Sequence, residues 1–336
     1  MRRVGAAVLA AGALVAIAAG CGEKEEPRRA SEPQPFDVAL DFYVNPDHVG
    51  LYEAIEQGYF TEAGLDVRPR VPSDPSAPIK QVAAGQVDLA ISYEPELMIA
   101  RDQGLDVVAV GALVSEPLTS LISLPEAGIA RPRDLAGKTI ATAGIPYQTA
   151  FLESILDRAT LTLNDVEEVN VGLNLLPALL SNRADAILGG FKNIEGVDLA
   201  ERGEDPSIIP VDELGIPTYD ELVLVAGEDL VEDDPEEIRL FLDALERGTR
   251  DAARDPEAAA ETLLDAAPDL DPKLTAPEVE ATLPLLEAQP GDRYGYMNIG
   301  QWQQFAGFMA DEGLIAVLPE PGEMLTNELL PRGRGK

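Results

Sequence analysis

Two stretches 97 residues apart follow one pattern, and that repeat limits what the chain can fold into. QVAAGQVDLAIS (81–92) and ALLSNRADAILG (178–189) each close a helix with Gly or Asn. Each then runs apolar-Asp-apolar into a strand-like segment. Gly85 pairs with Asn182 and Asp88 with Asp185 at the same offset. Two copies of one α/β unit predict two similar lobes. Ligands of open α/β sheets lie beyond the strand carboxyl ends. Here those ends are Ser92-Tyr93-Glu94 in one copy and Gly189-Gly190-Phe191 in the other. Two such ends facing each other across a cleft make a hinged trap.

The rest of the chain alternates in the same way. Apolar runs at 38–43, 65–71, 87–92 and 107–114 read as strands, and 118–124 and 138–142 continue the series. Segments 51–57, 79–84, 96–103, 147–158 and 175–181 read as helices, and 184–188 as a further strand. Such alternation predicts an α/β fold with parallel sheets covered by helices. Beyond Asp233 the pattern becomes helical, at 235–254, 256–266, 277–288 and 299–312, with several segments opening on proline.

The first 35 residues differ in kind. Arg2 and Arg3 precede a run of small and apolar residues that ends Ala18-Ala19-Gly20-Cys21. The run is short for a membrane span and has the layout of a secretory signal. Small residues before a cysteine resemble the lipobox of bacterial lipoproteins, which makes 1–20 a signal peptide and Cys21 the lipidated residue. Each buried methylene of an acyl chain adds ~0.8 kcal/mol of membrane affinity. Residues 21–35, rich in charge and proline, read as a flexible tether. Cys21 is the only cysteine, so an intrachain disulfide and a cysteine-rich metal cluster are excluded. With 60 acidic against 25 basic residues the net charge is −35, which disfavours nucleic acid as a partner.

Residues 40–60, LDFYVNPDHVGLYEAIEQGYF, concentrate polar and aromatic groups at an expected strand end, a turn and a helix start. With VDLAISYEPE, GLNLLPALLSNRADAILGGFKNIEG, YDELVLVAGEDL and MNIGQWQQFAGFMADEGLI, in this order, they resemble the extracytoplasmic binding proteins for thiamine pyrimidine precursors and their fungal synthase relatives. The resemblance runs from about Phe36 to Leu330; several segments also resemble the wider group that binds alkanesulfonates, nitrate or taurine. It implies a two-lobed periplasmic-binding-protein fold of type II with two crossover segments and the ligand in the interlobe cleft. Lobe 1 is expected at 36–118 plus 223–330, lobe 2 at 119–222, and a tail at 331–336. The implied protein is a monomeric lipoprotein outside the cytoplasmic membrane. It binds a formylaminopyrimidine or hydroxymethylpyrimidine and delivers it to an ABC permease and its ATPase.

An aminopyrimidine is flat, accepts at its ring nitrogens and donates from its amine, so its site needs aromatic faces and carboxylate or amide partners. Phe42 and Phe191 are placed to stack, Asp41 and Glu195 to accept from the amine, and Asn45 and Asn193 to read ring nitrogens. Gly144 and Tyr147 open one helix and Asn174 another, where free N–H groups suit a formyl oxygen. Tyr93 and Glu94 would close the cleft. His48, the one histidine, lies in the same turn and is counted with the ligand-binding residues, as a hydrogen-bonded group rather than a catalyst. Phe42 stands where many relatives carry Trp, Val44 replaces a common Pro, and Lys192 stands where a second aromatic is frequent.

The enzyme alternative is a hydroxymethylpyrimidine phosphate synthase. The resemblance ties those enzymes to iron, pyridoxal phosphate and a cysteine-rich segment, and PTYDELVLVAG (217–227) has no cysteine. One histidine leaves no His pair for a metal, and no nucleophilic triad, P-loop or glycine fingerprint is present. No cofactor or metal is expected. Among solutes, alkanesulfonate, taurine, nitrate and a riboflavin-like ring are the alternatives. An anion binder would place Arg or Lys, or clustered Ser and Thr, at the strand ends, where this chain places Asp41, Glu94 and Glu195.

Overall fold

The computed structural model describes residues 32–332. The expected signal, Cys21, the tether up to residue 31 and residues 333–336 lie outside them. Ten strands follow in chain order: β1 (Gln34–Ala39), β2 (Leu65–Arg70), β3 (Leu89–Ser92), β4 (Val107–Val114), β5 (Thr119–Ser123), β6 (Thr139–Thr142), β7 (Glu167–Asn170), β8 (Ala186–Phe191), β9 (Ser207–Pro210) and β10 (Leu222–Gly227).

They form two five-stranded sheets of matching design. One has the order β2-β1-β3-β10-β4 and the other β7-β6-β8-β5-β9. In the first, β1 runs parallel to β2 and β3, while β10 is antiparallel to β3 and β4. In the second, β6 is parallel to β7 and β8, while β5 is antiparallel to β8 and β9. Each sheet thus takes its one reversed strand from the chain's passage between lobes, giving the two-lobed architecture with two crossovers. β3 and β4 are buried at every residue, as the run VVAVGALV in β4 shows. Burial on both faces explains why they read as unbroken apolar runs.

The repeat has a structural cause. β3 and β8 hold equivalent central places, and each is preceded by the paired aspartate. Asp88 Oδ2 accepts from the Asp37 N–H at 2.6 Å, and Asp185 Oδ2 accepts from the Thr139 N–H at 2.8 Å. In both lobes the carboxylate ties the incoming segment to the neighbouring parallel strand just ahead of their first paired residues. Gly85 and Asn182 end their helices in the left-handed region, with φ of 62° and 56°. Gly and Asn are the residues that enter that region most readily.

Several boundaries move. β1 begins at Gln34, inside the expected tether, because the Gln34 N–H bonds the Gly64 carbonyl at 2.8 Å. It ends at Ala39 and not at 43, since the chain bends from Asp41 to Val44 to present side chains to the cleft. The helix expected from Pro277 runs Pro272–Leu286: Asp271 caps it by accepting from the Lys273 N–H, Pro272 takes the first turn, and Pro277 and Pro284 lie inside. Strands β7, β9 and β10 have no counterpart in the sequence reading, although β10 is an inner strand and almost wholly buried. β7 and β9 are four-residue edge strands that bury none of their residues fully.

Glu221, fully buried, holds the crossovers together. Its Oε2 accepts from the Leu118 and Thr119 N–H groups at 2.8 and 2.7 Å and from the Tyr219 hydroxyl at 2.9 Å. Its Oε1 accepts from the Thr119 hydroxyl. Beside it Asp220 accepts from the Trp302 indole at 2.6 Å, so Trp302 anchors the crossover as well as filling the core. Among the described residues no helix is long and apolar enough to cross a membrane.

Candidate ligand-binding site

The bend after β1, the end of β3, the start of the helix Pro146–Arg158 and the end of β8 converge on one cavity of about 400 Å³. Asp41, Phe42, Asn45, Tyr93, Tyr147, Phe191 and Glu195 line it together with Tyr43, Ala143, Ile145, Gln148, Leu175, Gly189 and Ile194. No lysine or arginine is among its walls.

The first lobe presents a fixed wall. The Asn45 N–H bonds His48 Nδ1 at 3.2 Å, which leaves the ring proton on Nε2. Nε2 then donates to Asp41 Oδ1 at 2.8 Å, and the Tyr93 hydroxyl donates to Asp41 Oδ2 at 2.8 Å. Asp41 is 1% exposed, and both of its oxygens are held before any ligand arrives. The Asn45 carboxamide caps the turn: its Oδ1 accepts from the Asp47 N–H and its Nδ2 donates to the Tyr43 carbonyl. Phe42 and Tyr43 lie ring against ring, with centroids 4.6 Å apart. Tyr93 reaches across to Tyr147 of the second lobe at 5.6 Å.

The second lobe is less tied. Glu195 Oε2 accepts from the Phe191 N–H at 2.7 Å, and this is the only hydrogen bond of its carboxyl among the described residues. Burial pushes its pKa up to about 7, against the backbone bond that favours the charged form. Gln148 Oε1 accepts from the Ala143 N–H at 2.8 Å, fixing the carboxamide against the cavity. Gly189, at φ 112°, lets β8 pass this carboxamide; a Cβ there would collide with it. Tyr93 and Tyr147, buried in the wall, have their phenol pKa values raised by desolvation.

Five expected residues lie off the cavity wall. His48 sits behind Asp41 and orients it. Glu94 turns inward because the first helical turn after Tyr93 faces the crossover, and its Oε2 accepts from the Asp220 N–H at 2.6 Å. Gly144 gives way to its neighbours Ala143 and Ile145; its φ of 78° serves a close approach to the Asn170 side chain. Asn174 is exposed, and its side chain bonds back to the Val171 carbonyl, so Leu175 faces the cavity instead. Asn193 bridges the lobes, donating to Asp47 Oδ1 and Thr282 Oγ1, both at 2.8 Å. Lys192 pairs with Glu116 at 2.7 Å. Tyr43 and Gln148 are wall residues that sequence reasoning missed. Tyr43 adjoins Phe42 in an aromatic pair, which was the available signal; Gln148 carried none.

Such a cavity suits a flat ring held between aromatic faces, with a carboxyl that can accept or donate at its edge. Among the described residues, no group of three or more His, Cys, Asp or Glu side chains is arranged to hold a metal ion.

Residues 45–259 match the family model described as NMT1/THI5 like. The chain is 34% identical to the formylaminopyrimidine-binding protein of Halalkalibacterium halodurans over 276 residues, 81% of this chain and 84% of the relative. It is 28% identical to the 4-amino-5-hydroxymethyl-2-methylpyrimidine phosphate synthase of Aspergillus parasiticus, over 68% of this chain and 69% of that one. Among solved structures it superposes on the alkanesulfonate-binding protein SsuA from Xanthomonas axonopodis pv. citri bound to MOPS, with a TM-score of 0.66. That match covers 87% of this chain and 96% of the other at 16% identity, a likeness of fold alone. On the matched span and on 34% identity over most of both chains, the chain belongs to the NMT1/THI5-like family.

Proposed function

We propose that this protein is the extracytoplasmic solute-binding subunit of an ABC importer and that its ligand is an aminopyrimidine precursor of thiamine. The observation that carries the reading is the cavity's chemistry. Phe42, Tyr43 and Phe191 offer aromatic faces, Glu195 keeps one oxygen free of protein partners, and no cationic side chain lines the walls. A sulfonate or nitrate would meet carboxyl groups where it needs donors. The relative from Halalkalibacterium halodurans, named for formylaminopyrimidine binding, supports the same ligand class.

Lobe 1 takes 36–118 plus 223–330 and lobe 2 takes 119–222, with the ligand between them. The wall residues named above hold the ring, His48 positions Asp41, and Asn193 helps to hold the lobes together. The protein captures its ligand without transforming it, acts as a monomer, and is held at the membrane by a lipid on Cys21. Cys21→Ser is expected to release it from the membrane fraction with ligand affinity unchanged; retention would refute the anchor.

The test of the ligand is a thermal-shift panel on the full chain with formylaminopyrimidine, hydroxymethylpyrimidine, thiamine, riboflavin, taurine, an alkanesulfonate and nitrate. A ligand at a hundred times its Kd stabilises the fold by ~2.7 kcal/mol, which gives a clear rise in Tm. A rise with the pyrimidines alone is expected. A rise with the sulfonate or riboflavin instead would overturn the ligand assignment.

A further inference from the structure

Beyond the ring cavity the cleft continues into a second space of about 1120 Å³, continuous with solvent. Tyr43, Asn45, Ile194 and Glu195 line both. Its walls carry five carboxylates: Glu195 and Asp198 on the helix Glu195–Glu201 of the second lobe, and Asp269, Asp271 and Glu278 from the first. The one cation there, Arg202, is already paired with Asp198 through Nε and Nη2.

Glu278 is the anomaly. The residue is only 7% exposed, it faces this space, and its carboxyl has no hydrogen bond or ion pair among the described residues. Close by, Asp47 is 3% exposed and its Oδ2 has no partner; the Oδ1 of Asn193, which joins the lobes, has none either. Buried polar groups ordinarily find partners, and a buried like-charged set costs most. The space gathers acids of both lobes, and protons or an arriving cation would offset their repulsion.

The titration of the group agrees with that picture. Burial, with Asp198, Glu195, Asp47 and Asp271 nearby, pushes Glu278 up to about 8. Asp47 is raised by burial and by Asp41, and the Tyr43 phenol by burial and by Glu195 and Glu278. Near neutral pH the Glu278 carboxyl therefore carries a proton that a cation would displace.

We propose that this vestibule receives a cationic arm on the ring ligand, with Glu278 as its counter-ion, so that the preferred ligand is an aromatic heterocycle bearing an ammonium group. The inference rests on the ring-binding reading above and extends it to the ligand's side arm. A hydroxymethyl arm would leave Glu278 protonated. An aminomethyl arm would arrive as ammonium and send that proton to the buffer.

Calorimetry on the full chain decides it, with an aminopyrimidine carrying either arm, each in two buffers of different ionisation enthalpy. The aminomethyl compound is expected to bind at least about tenfold tighter and to take up fewer protons. Glu278→Gln should remove that preference while leaving hydroxymethyl affinity within about threefold. Equal affinities and equal proton uptake for the two compounds in the unmodified chain would overturn the vestibule assignment and leave the ring site standing; so would a Glu278→Gln protein that keeps the preference. Should that variant fail to fold, the comparison in the unmodified chain decides alone. Binding of neither compound would overturn the ring-binding reading and this inference together.

Discussion

The two lobes share a sheet design but hold their cavity residues differently. In the first lobe, Asn45, His48, Asp41 and Tyr93 form one hydrogen-bonded chain, so the wall has its shape before a ligand enters. In the second, Glu195 has a single bond to the Phe191 backbone, and Phe191 is half-buried, as Phe42 is in the first. Pre-ordering one wall lowers the conformational cost of binding there. A looser opposite wall can adjust to the ligand's edge as the lobes meet. The difference assigns the first lobe the part of platform and the second that of reader.

The sharpest way to break this division is to unfasten the crossovers that let one lobe move against the other. Glu221→Ala would leave the Leu118 and Thr119 N–H groups and two hydroxyls buried without their acceptor. Unsatisfied buried groups cost ~1–3 kcal/mol each, so a loss of about 3 kcal/mol or more is expected. Glu221→Gln, which keeps an acceptor oxygen, should recover part of it. Denaturant midpoints that do not move would show that the crossovers are held by packing alone.

Next in size is the reader itself. Glu195→Gln is expected to weaken aminopyrimidine binding about tenfold, ~1.4 kcal/mol, by calorimetry. Unchanged affinity would sink the role given to this carboxyl. The same variant reports on pH. Glu195 titrates near 7 in the fold against 4.5 in the free chain, so the folded protein binds its proton more tightly. That stability is fully present below 4.5 and is lost as pH rises through about 7. Glu96 and Asp220, also pushed up to about 7 by burial, act in the same direction. Tm should therefore fall between about pH 5 and 8, and less steeply in Glu195→Gln; parallel curves would count against the shift at this residue.

The repeat was the most legible feature because each of its marks has a backbone cause. Asp88 and Asp185 bond a neighbouring strand, and Gly85 and Asn182 turn their helices out through positive φ. Strand ends near the cleft were legible for the same reason: aromatic and acidic residues break an apolar run there. Side-chain direction was not. Glu94 adjoins Tyr93 in the chain, yet one faces the crossover and the other the cavity, a distinction set by which side of a helix start is packed. Gln148 was invisible, because its place depends on Gly189 some forty residues on, in another element. The short edge strands β7 and β9 were lost because neither buries any residue fully, whereas β4, also at a sheet edge, is buried throughout and shows as an apolar run.

A smaller test asks whether the matching aspartates do matching work. Asp88→Ala and Asp185→Ala each remove one carboxylate-to-backbone bond that starts a parallel pairing. Each is expected to cost about 1 kcal/mol in chemical denaturation. A difference of more than about 1 kcal/mol between them would show that the lobes share a pattern without sharing its energetics.

The smallest effect lies at the helix ends, and it carries opposite signs in the two lobes. Gly85 is at φ 62° with no atom within 4 Å of where a Cβ would stand, so Gly85→Ala meets no clash and measures backbone strain alone. A non-glycine residue in the left-handed region costs about 1 kcal/mol, and a loss of that order is expected. Asn182 already occupies φ 56° as a non-glycine residue, and Asn182→Gly should gain a few tenths of a kcal/mol (~0.3) as its strain is relieved. Glycine's extra freedom in the unfolded chain works against that gain and keeps it small. If both substitutions destabilise equally, the asparagine must supply an interaction that glycine cannot, and the two helix ends would be alike in backbone shape only.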